Sequence, residues 1–285
     1  MHCAVILGLL FFIVYMYNDK KDGKMHTVLT IAGSDCSGGA GIQADMKTIM
    51  AHGAYAMSVV TALTAQNTTG VSGIWETAPE CVGVQLDAVF SDIPPQAVKI
   101  GMICSEDGVA VISEKLKEYG AGNLVVDPVM VSTSGNRLMQ VQALQYAKKE
   151  LYPLAAVLTP NIPEAEVLSA FTIKDRASMQ EAARVIFHEL GCAVLCKGGH
   201  LPDTSDDLLY DGEQCYWFEG KQVQTMNTHG TGCTLSSAIA CNLAADCTLP
   251  DAVGKAKEYI TGALLAGLDL GRGNGPLNHG YKFRI

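Results

Sequence analysis

The feature that most constrains the fold is a regular alternation of short β-branched runs with longer segments of helical period, which begins at Met25. Buried parallel strands read as short apolar runs, and a helical crossover must join each parallel neighbour. The predicted strands are 27–32, 56–63, 97–101, 123–127, 155–159 and 193–197. The predicted helices are 42–52, 79–91, 106–119, 140–151, 163–170, 178–190, 233–246 and 251–268. The pattern therefore predicts one α/β domain over 25–285, with a central, mostly parallel sheet and helices on both faces.

One segment departs from this rhythm. In "LLYDGEQCYWF", residues 208–218, an Asp-Gly pair separates two alternating runs. An Asp-Gly pair in this position is a strong hairpin signal. We expect a small antiparallel hairpin at one edge of the sheet, with 221–225 as a candidate third strand.

Residues 1–24 form an apolar extension unlike the rest of the chain. The run "CAVILGLLFFIVYMY" has 15 residues, which is fewer than the roughly 18 of a membrane span, and it lacks the flanks of a signal peptide. Three interpretations remain: a membrane anchor, a signal peptide, or an extension upstream of a start at Met25. The third is favoured, because "MHTVLTIAGSD" begins with Met25 and leads directly into the first strand.

Composition excludes some classes of partner. The chain has 29 acidic and 20 basic residues, a formal net charge of -9, and no basic run that would bind nucleic acid. Its ten cysteines are spread singly, without a C-x-x-C pair or a spacing typical of metal ligands. A reduced, cytoplasmic location without a membrane role fits this pattern best.

Polar and Gly-rich residues follow the predicted strands. "GSDCSGGAGIQAD" follows the first strand, Asp127 ends the fourth, "PNIPEAE" follows the fifth and Lys197 ends the sixth. Each of these alone is ordinary turn chemistry. Because ligands of open parallel sheets bind beyond the carboxyl ends of the strands, their joint occurrence at one edge predicts a ligand site there.

Two Gly-rich loops precede helices, and neither is a Walker A or a dinucleotide loop. The first loop carries Asp35 and Asp45, whose charges suit a hydroxyl or amine ligand. The second loop, "HGTGCT", has no acid. The backbone N–H groups of Gly230, Thr231, Gly232 and Cys233 are therefore predicted to form an anion hole for a transferring phosphoryl group.

Cys233 would lie in the first turn of the following helix. A helix N-terminus lowers the pKa of a thiol, and the thiolate can accept a proton; the alternative is a small buried helix residue. Lys197 could neutralise phosphate charge, and Asp127 and Glu164 could hold Mg²⁺ directly or through water. Taken alone, Lys197 also fits a surface charge and Glu164 a helix-start acid. Together these residues supply the parts needed for phosphoryl transfer.

Seven ordered motifs carry a family resemblance. They are "TIAGSDCSGGAGIQADMKT", "TALTAQNTTGV", "KIGM", "DPVM", "TPNIPEAEVL", "KGGHL" and "NTHGTGCTLSSAIA". In order and spacing the chain resembles the hydroxymethylpyrimidine/phosphomethylpyrimidine kinases of thiamine biosynthesis, in the ribokinase-like superfamily. The resemblance runs from about Met25 to "GRGNGPLNH" at 271–279, and it leaves out the N-terminal extension.

The resemblance implies an ATP- and Mg²⁺-dependent kinase, expected to be a homodimer. Its substrate would be 4-amino-5-hydroxymethyl-2-methylpyrimidine, and then the monophosphate of that alcohol, which it would convert to the diphosphate. Sugar kinases of the superfamily have an aspartate base where this chain has Cys233. The resemblance therefore implies that Cys233 deprotonates the alcohol in the first step, whereas the phosphate nucleophile of the second step needs little or no base.

The resemblance also assigns binding residues. The pyrimidine would lie against Gly33 and Met102 with Val129 on the apolar wall, Gln66 would hydrogen-bond the ring nitrogen and the amine, and Asp45 would orient the hydroxymethyl group. On the nucleotide side, Lys197, Asn161 and Thr228 would contact ATP, with Asp127 and Glu164 ordering Mg²⁺.

Two other functions stay open. A pyridoxine or pyridoxal kinase could use the same scaffold and cysteine turn, although Gln66 and Met102 favour the aminopyrimidine. A binding or regulatory domain without turnover is the alternative outside enzymes. That alternative would be expected to lack Lys197, Glu164 or the "GTGC" turn, all of which are present.

Overall fold

The computed structural model describes residues 24–131, 138–199, 205–220 and 223–283. Their strands form one nine-stranded sheet in the order β3-β2-β1-β4-β5-β6-β7-β8-β9. The strands are β1 (Thr27–Asp35), β2 (Tyr55–Asn67), β3 (Gly70–Glu76), β4 (Ala97–Ile100), β5 (Leu124–Val126), β6 (Val157–Leu158), β7 (Ala193–Cys196), β8 (Asp207–Tyr210) and β9 (Cys215–Phe218).

Helices alternate with the parallel strands, as predicted. They are α1 (Gly41–Ala51), α2 (Pro79–Asp92), α3 (Glu106–Glu118), α4 (Val141–Glu150), α5 (Ile162–Ser169), α6 (Arg176–Leu190), α7 (Thr231–Ala244) and α8 (Leu249–Leu265), with a short 3₁₀ helix at Tyr152–Leu154. Among the described residues, no helix is long and apolar enough to cross a membrane. The apolar extension, apart from Lys24, lies outside the described residues.

Alternate residues of the central strand bury against different helical layers. Leu29 and Ile31 pack in a core with α2 to α6, whereas Val28 packs in a second core with α1, α7 and α8. A strand buried on both faces must be apolar throughout, which explains why the parallel strands read as continuous apolar runs. The predicted arrangement of helices on both faces is confirmed.

The six predicted strands correspond to β1, β2, β4, β5, β6 and β7, which pair in parallel. The predicted hairpin is also confirmed, as β8 and β9 pair in antiparallel register beside β7. Gly212 in its turn has a φ of 102°, a conformation that suits glycine. The candidate third strand is not confirmed: 221–222 lie outside the described residues, and 223–225 are not strand.

A second antiparallel edge is absent from the sequence prediction. β2 continues past residue 63 to Asn67, turns, and returns as β3 in antiparallel register. The Asn67 side chain closes this turn by accepting hydrogen bonds from the Thr69 backbone N–H at 2.9 Å and its hydroxyl at 2.6 Å. β3 is mostly exposed, and glycines and polar residues interrupt its apolar side chains, so it lacks the continuous apolar run by which the other strands were predicted.

The strand order places the expected ligand site. The chain passes from β1 to β2 on one side and later to β4 on the other side of β1. Such a switch point opens a crevice at the carboxyl ends of the flanking strands. The residues at and after the carboxyl end of β1, in the motif "GSDCSGG", and those after β4, in "GM", therefore line the crevice.

Candidate active site

Gly33, near the carboxyl end of β1, lies against Met102, which follows β4 and packs with Val129 after β5. A Cβ atom at Gly33 would lie 2.5 Å from Cε of Met102, so the end of the methionine side chain packs directly on this glycine. Met102 is 8% exposed and packs with half-buried Val129. The structure thus brings together the three residues predicted to form the apolar wall, and their contact with a substrate stays a prediction.

The first Gly-rich loop is built around Asp35. This carboxylate is 2% exposed and accepts hydrogen bonds from the Ser37 hydroxyl at 2.8 Å and from the backbone N–H groups of Ser37, Gly39 and Ala40. Burial alone would raise the pKa of Asp35, but hydrogen bonds from His229, Ser37 and Ala40 outweigh it and lower the pKa to about 2. Asp35 is therefore an anchor of the loop, which differs from the expectation that its charge serves a ligand.

The two Gly-rich loops pack directly on each other. Gly230 has a φ of 86°, and a Cβ there would lie 2.0 Å from the carbonyl oxygen of Gly39. A Cβ at Gly39 would in turn lie 2.3 Å from Cδ2 of His229. Glycine at both positions lets the first Gly-rich loop approach the predicted anion hole.

Gln66 lies beside these loops. Its side-chain nitrogen is 3.2 Å from Nε2 of His229, and its side-chain oxygen accepts a hydrogen bond from the Thr64 hydroxyl at 3.2 Å. A cavity of about 370 Å³ opens here, lined by Gln66, Asn67, Thr68, Thr69, Gly70, His229, Gly273 and Asn274. His229 is a site residue that the sequence reasoning missed, although it directly precedes the "GTGC" turn.

Cys233 lies in the first turn of α7, as predicted. Gly230 is the N-cap and no side chain caps the helix, so the N–H groups of the first turn have no side-chain partner. The expected lowering of the thiol pKa is not found. Burial raises the pKa of Cys233 to about 11, opposed by the Lys99 ammonium and by a hydrogen bond with the Gly41 backbone. Burial outweighs the helix terminus because it removes the water that would solvate a thiolate.

The turn at residues 230–233, which we call the anion turn, lies against an ion pair. Nζ of Lys197 is 2.8 Å from Oδ1 of Asp127. A Cβ at Gly232 would lie 3.1 Å from Oδ2 of Asp127 and 3.3 Å from Nζ of Lys197. The structure therefore brings Lys197, Asp127 and the 230–233 turn together. Lys197 is 15% exposed, which excludes the alternative of an ordinary surface charge.

Asn161 and Glu164 form the capping box of α5. The Asn161 side chain accepts from the backbone N–H of Glu164, and the Glu164 carboxylate accepts from that of Asn161, both at 2.9 Å. Burial raises the pKa of Glu164 to about 7, with Lys197 opposing and Asp127 adding to the rise. Glu164 is thus a helix-start acid that also shares the electrostatic environment of the Asp127–Lys197 pair.

Thr228 lies in the turn before α7. It is half-buried, and its carbonyl oxygen accepts a hydrogen bond from the backbone N–H of Thr231 at 3.3 Å. This places Thr228 next to the anion turn, and its contact with a nucleotide stays a prediction.

Asp45 lies in a buried ion pair with Lys99. Its side chain has no exposed surface, and its carboxylate accepts hydrogen bonds from Lys99 at 2.8 Å, Thr30 at 2.6 Å and Ser237 at 2.8 Å. These three buried donors hold the Asp45 carboxylate in place, and its contact with a hydroxymethyl group stays a prediction. Lys99, its partner within the "KIGM" motif, is a second residue that the sequence reasoning did not single out.

The residues fit a magnesium ion that is held mainly by a nucleotide. The described residues contain no group of three or more metal-ligating side chains. Asp127 and Glu164 supply two carboxylates near Lys197. Mg²⁺ is commonly held by one or two carboxylates together with phosphates and water, so this donor set matches Mg-nucleotide better than an all-protein site.

Comparison with known proteins agrees with this geometry. The family profile described as phosphomethylpyrimidine kinase matches residues 35–278. The chain belongs to the phosphomethylpyrimidine kinase family. It is 46% identical over 254 residues to the hydroxymethylpyrimidine/phosphomethylpyrimidine kinase of Streptomyces coelicolor, with 89% of this chain and 94% of that protein covered.

The chain is also similar to a bifunctional protein and to a solved kinase structure. Over 269 residues the chain is 51% identical to the thiamine biosynthesis bifunctional protein ThiED of Geobacter sulfurreducens; this covers 94% of the chain but only 55% of that relative. An ADP complex of Bacillus subtilis pyridoxal kinase is similar in structure, with a TM-score of 0.83, 36% identity, and coverage of 91% and 99%. The ribokinase-like fold expected from the motifs is confirmed.

Proposed function

We propose that this member of the phosphomethylpyrimidine kinase family uses ATP to phosphorylate 4-amino-5-hydroxymethyl-2-methylpyrimidine and then its monophosphate. The observation that carries this proposal is the Streptomyces relative of that name, 94% of which the chain covers. The packing of the "GTGC" turn against Lys197 and Asp127 supplies the site that the reaction requires. The product would be the diphosphate used in thiamine biosynthesis.

The substrate would bind on the side of the first Gly-rich loop. Gly33, Met102 and Val129 offer an apolar wall for a flat ring. The Gln66 amide has both a donor and an acceptor, which suits a ring nitrogen with an adjacent amine. This arrangement would direct the hydroxymethyl group toward Cys233 and the 230–233 turn.

In the first step the alcohol oxygen attacks the γ-phosphoryl group in line, the bond to the β-phosphate oxygen breaks so that ADP leaves, and Cys233 takes the alcohol proton. The backbone N–H groups of 230–233 and the Lys197 ammonium stabilise the negative charge of the transferring group. Because burial raises the pKa of Cys233 to about 11, only a small fraction of the molecules carries the thiolate at pH 7. Any charge that stabilises this thiolate therefore affects the first step.

In the second step the nucleophile is a phosphate oxygen of the monophosphate. This oxygen is already ionised at neutral pH, so the step does not require Cys233 as a base. The same turn and Lys197 would bind and orient the reacting groups, and this positioning would account for most of the rate acceleration. The two steps therefore share the anion hole but differ in their need for the thiol.

The nucleotide would lie against Lys197, Asn161 and Thr228. Asp127 and Glu164 would hold Mg²⁺, which when bound neutralises phosphate charge during transfer. Burial opposes the charge of Lys197, but Asp127 and Glu164 outweigh it and raise the pKa of the lysine, so Lys197 stays charged in a partly buried site. Binding of Mg-ATP would then separate the two side chains, so that Lys197 contacts phosphate and Asp127 contacts the cation.

A pyridoxal kinase is the second candidate function. The specific observation in its favour is the structural similarity to the Bacillus subtilis pyridoxal kinase, with a TM-score of 0.83. Pyridoxal is also a flat aromatic ring with a primary alcohol. The apolar wall of Gly33, Met102 and Val129 and the turn at 230–233 would therefore suit it as well. The Gln66 amide is the feature that favours the aminopyrimidine.

We further propose a homodimer. The hairpin β2–β3 at the sheet edge exposes three large apolar side chains, with Leu63 56%, Ile74 37% and Trp75 61% exposed. Apolar groups of this kind on an edge are typical of an interface. Light scattering after size exclusion should give twice the chain mass of 30.2 kDa, and Trp75→Arg should shift it to the monomer.

The cytoplasmic location stays a proposal as well. All nine cysteines in the described ranges are free thiols. Thiols persist in reducing compartments, which supports this location. Fractionation of cells that express the full chain would test it, and recovery in the membrane fraction would contradict it.

The activity is tested with the full chain and Mg-ATP. Hydroxymethylpyrimidine, its monophosphate and pyridoxal are offered separately, and ADP release is measured. Turnover of both pyrimidines with little turnover of pyridoxal is expected. Turnover of pyridoxal alone would replace the proposed function with the second candidate.

A further inference from the structure

Lys99 is a lysine with no exposed surface whose role the reaction described above leaves open. It lies on β4, and its ammonium donates to Oδ2 of Asp45 at 2.8 Å. The Asp45 carboxylate also accepts from Thr30 on β1 and from Ser237 on α7. Four elements of the fold therefore meet at one buried ion pair. Such pairs are seldom net stabilising, because removing two charges from water costs several kcal/mol per ion.

The position of the pair relative to the site suggests what it does. Ser237 lies four residues after Cys233 on α7, so their side chains share one face of the helix. Asp45 accepts a hydrogen bond from Ser237 at 2.8 Å, which places the pair one turn from Cys233. The Lys99 ammonium also lies along β4 toward its carboxyl end, since a Cβ at Gly101 would be only 2.7 Å from Nζ.

We propose that Lys99 is a positioning residue for Cys233: its buried ammonium, fixed by Asp45, supplies the positive charge that a thiolate at Cys233 needs. This inference rests on the proposed role of Cys233 as the base of the alcohol step. It assigns the buried pair a function that packing does not require. Asp45 then holds the ammonium in place and sets the net charge beneath α7.

The charges around Cys233 support this assignment. After burial, the Lys99 ammonium has the largest effect on the Cys233 pKa, which it lowers, whereas Asp45 and Asp127 raise that pKa. Cys233 likewise acts on Lys197, but Lys197 has its own partner in Asp127 at 2.8 Å. Lys99 is kept positive by Asp45, since its pKa is raised above its ordinary value despite burial.

The test reads the ionisation of Cys233 directly. The rate of alkylation of Cys233 by iodoacetamide at pH 8.5 is followed by peptide mass spectrometry, with exposed Cys81 as the internal reference. Thiolate is the reactive form, so at a pH below the pKa of the thiol the reaction slows about tenfold when that pKa rises by about 1. We expect Lys99→Met to slow the reaction about tenfold or more. Asp45→Asn removes the partner that keeps Lys99 charged and in place, so it should slow the reaction as well.

Ser237→Ala is the matched control, because it removes one hydrogen bond to Asp45 without changing any charge. Its alkylation rate is expected to stay within about twofold of wild type. If loosened packing rather than charge were responsible, all three variants would change the rate in the same direction, and that result would overturn the inference. Unchanged rates in both charge variants would overturn it equally.

Lys99→Met alone leaves a buried, unpaired carboxylate, which destabilises proteins strongly. The double variant Lys99→Met/Asp45→Asn removes both charges. If the single variant does not fold, the alkylation rate of Cys233 in this double variant tests the proposal. Because the effect of Lys99 on the thiol exceeds that of Asp45, the double variant should still react more slowly than wild type. A rate equal to or above wild type would contradict the proposal.

Activity separates this inference from the proposed function. In folded Lys99→Met, kcat for the alcohol should fall about tenfold with little change in KM, and kcat for the monophosphate should fall far less. If Cys233→Ala kept the alcohol step while the alkylation pattern held, the base assignment would fail, and only the effect of Lys99 on the ionisation of Cys233 would stand. If Cys233→Ala lost the alcohol step while alkylation rates were unchanged, the inference about Lys99 would fail instead.

Discussion

Nε2 of His229 lies 2.8 Å from Oδ2 of Asp35, and this one contact joins loops that are 194 residues apart in the chain. Both residues are buried. Asp35 organises the loop after β1, and His229 precedes the turn that opens α7. The contact therefore couples the proposed pyrimidine side of the site to the proposed phosphoryl side.

Asp35→Asn should remove stability in a pH-dependent way. The pKa of Asp35 is lowered from 3.8 to about 2 in the folded protein, so its contribution is present above pH 4 and is lost as the pH falls through 2. The lowered pKa corresponds to roughly 2 kcal/mol. Urea unfolding should show the variant less stable by about this amount at pH 6, with a difference that shrinks toward pH 2. A difference that is constant with pH would contradict the prediction.

Gly230→Ala should prevent the two loops from packing. The new methyl would meet the Gly39 carbonyl at 2.0 Å in a backbone with a φ of 86°. Gly53→Ala is the control, since Gly53 has a φ of 71° but no atom within 4 Å of the added Cβ. We expect roughly 1 kcal/mol of destabilisation in the control and a clearly larger loss, with loss of both kinase steps, in Gly230→Ala. Similar stability and activity in the two variants would show that the contact is unimportant.

Some features of the fold and of the site can be predicted from the sequence, whereas others depend on tertiary packing. The strands, the hairpin at Asp211-Gly212 and the meeting of motifs at one sheet edge were predictable, because they follow from apolar periodicity and turn chemistry. The buried pair of Asp45 and Lys99 was not predicted, because the two residues lie 54 positions apart on different elements. The pKa of Cys233 was predicted in the wrong direction, because the helix terminus is visible in the sequence whereas burial depends on tertiary packing. β3 was missed because it is exposed.

Cys233→Ala should separate the two phosphorylations. Loss of a general base typically costs 10²- to 10⁴-fold, so we expect kcat for the alcohol to fall by about 100-fold or more. The monophosphate step should fall by less than about tenfold, because its nucleophile is already ionised. Steady-state kinetics with each substrate would measure both.

The control for Cys233→Ala is Cys241→Ala, which makes the same substitution two turns later on α7. Cys241 is 4% exposed and lies in the core between the sheet and α8. Its replacement should lower stability but leave the ratio of the two rates unchanged. Equal losses of both steps in Cys233→Ala would remove Cys233 from the role of base.

Lys197→Met should weaken both steps to the same degree. The lysine faces the anion turn and Asp127, which both phosphorylations would share. We expect kcat/KM for Mg-ATP to fall about 100-fold or more with either pyrimidine. Lys117→Met is a suitable control, since Lys117 is 46% exposed and pairs with Glu150. A loss confined to the alcohol step would place Lys197 with the base instead of the nucleotide.

His279 should make stability depend on pH in a different window from Asp35. It lies 3.0 Å from the hydroxyl of Thr234, next to Cys233, and burial lowers its pKa from 6.5 to about 4, with Lys47 adding to the effect. Below pH 6.5 the unfolded chain takes up a proton that the folded protein does not bind, so stability falls by roughly 3 kcal/mol between pH 6.5 and 4. Urea unfolding of His279→Gln should show a smaller loss over this window, whereas replacement of exposed His188 by Gln should leave the loss unchanged. An unaltered pH dependence in His279→Gln would mean that other groups cause the loss.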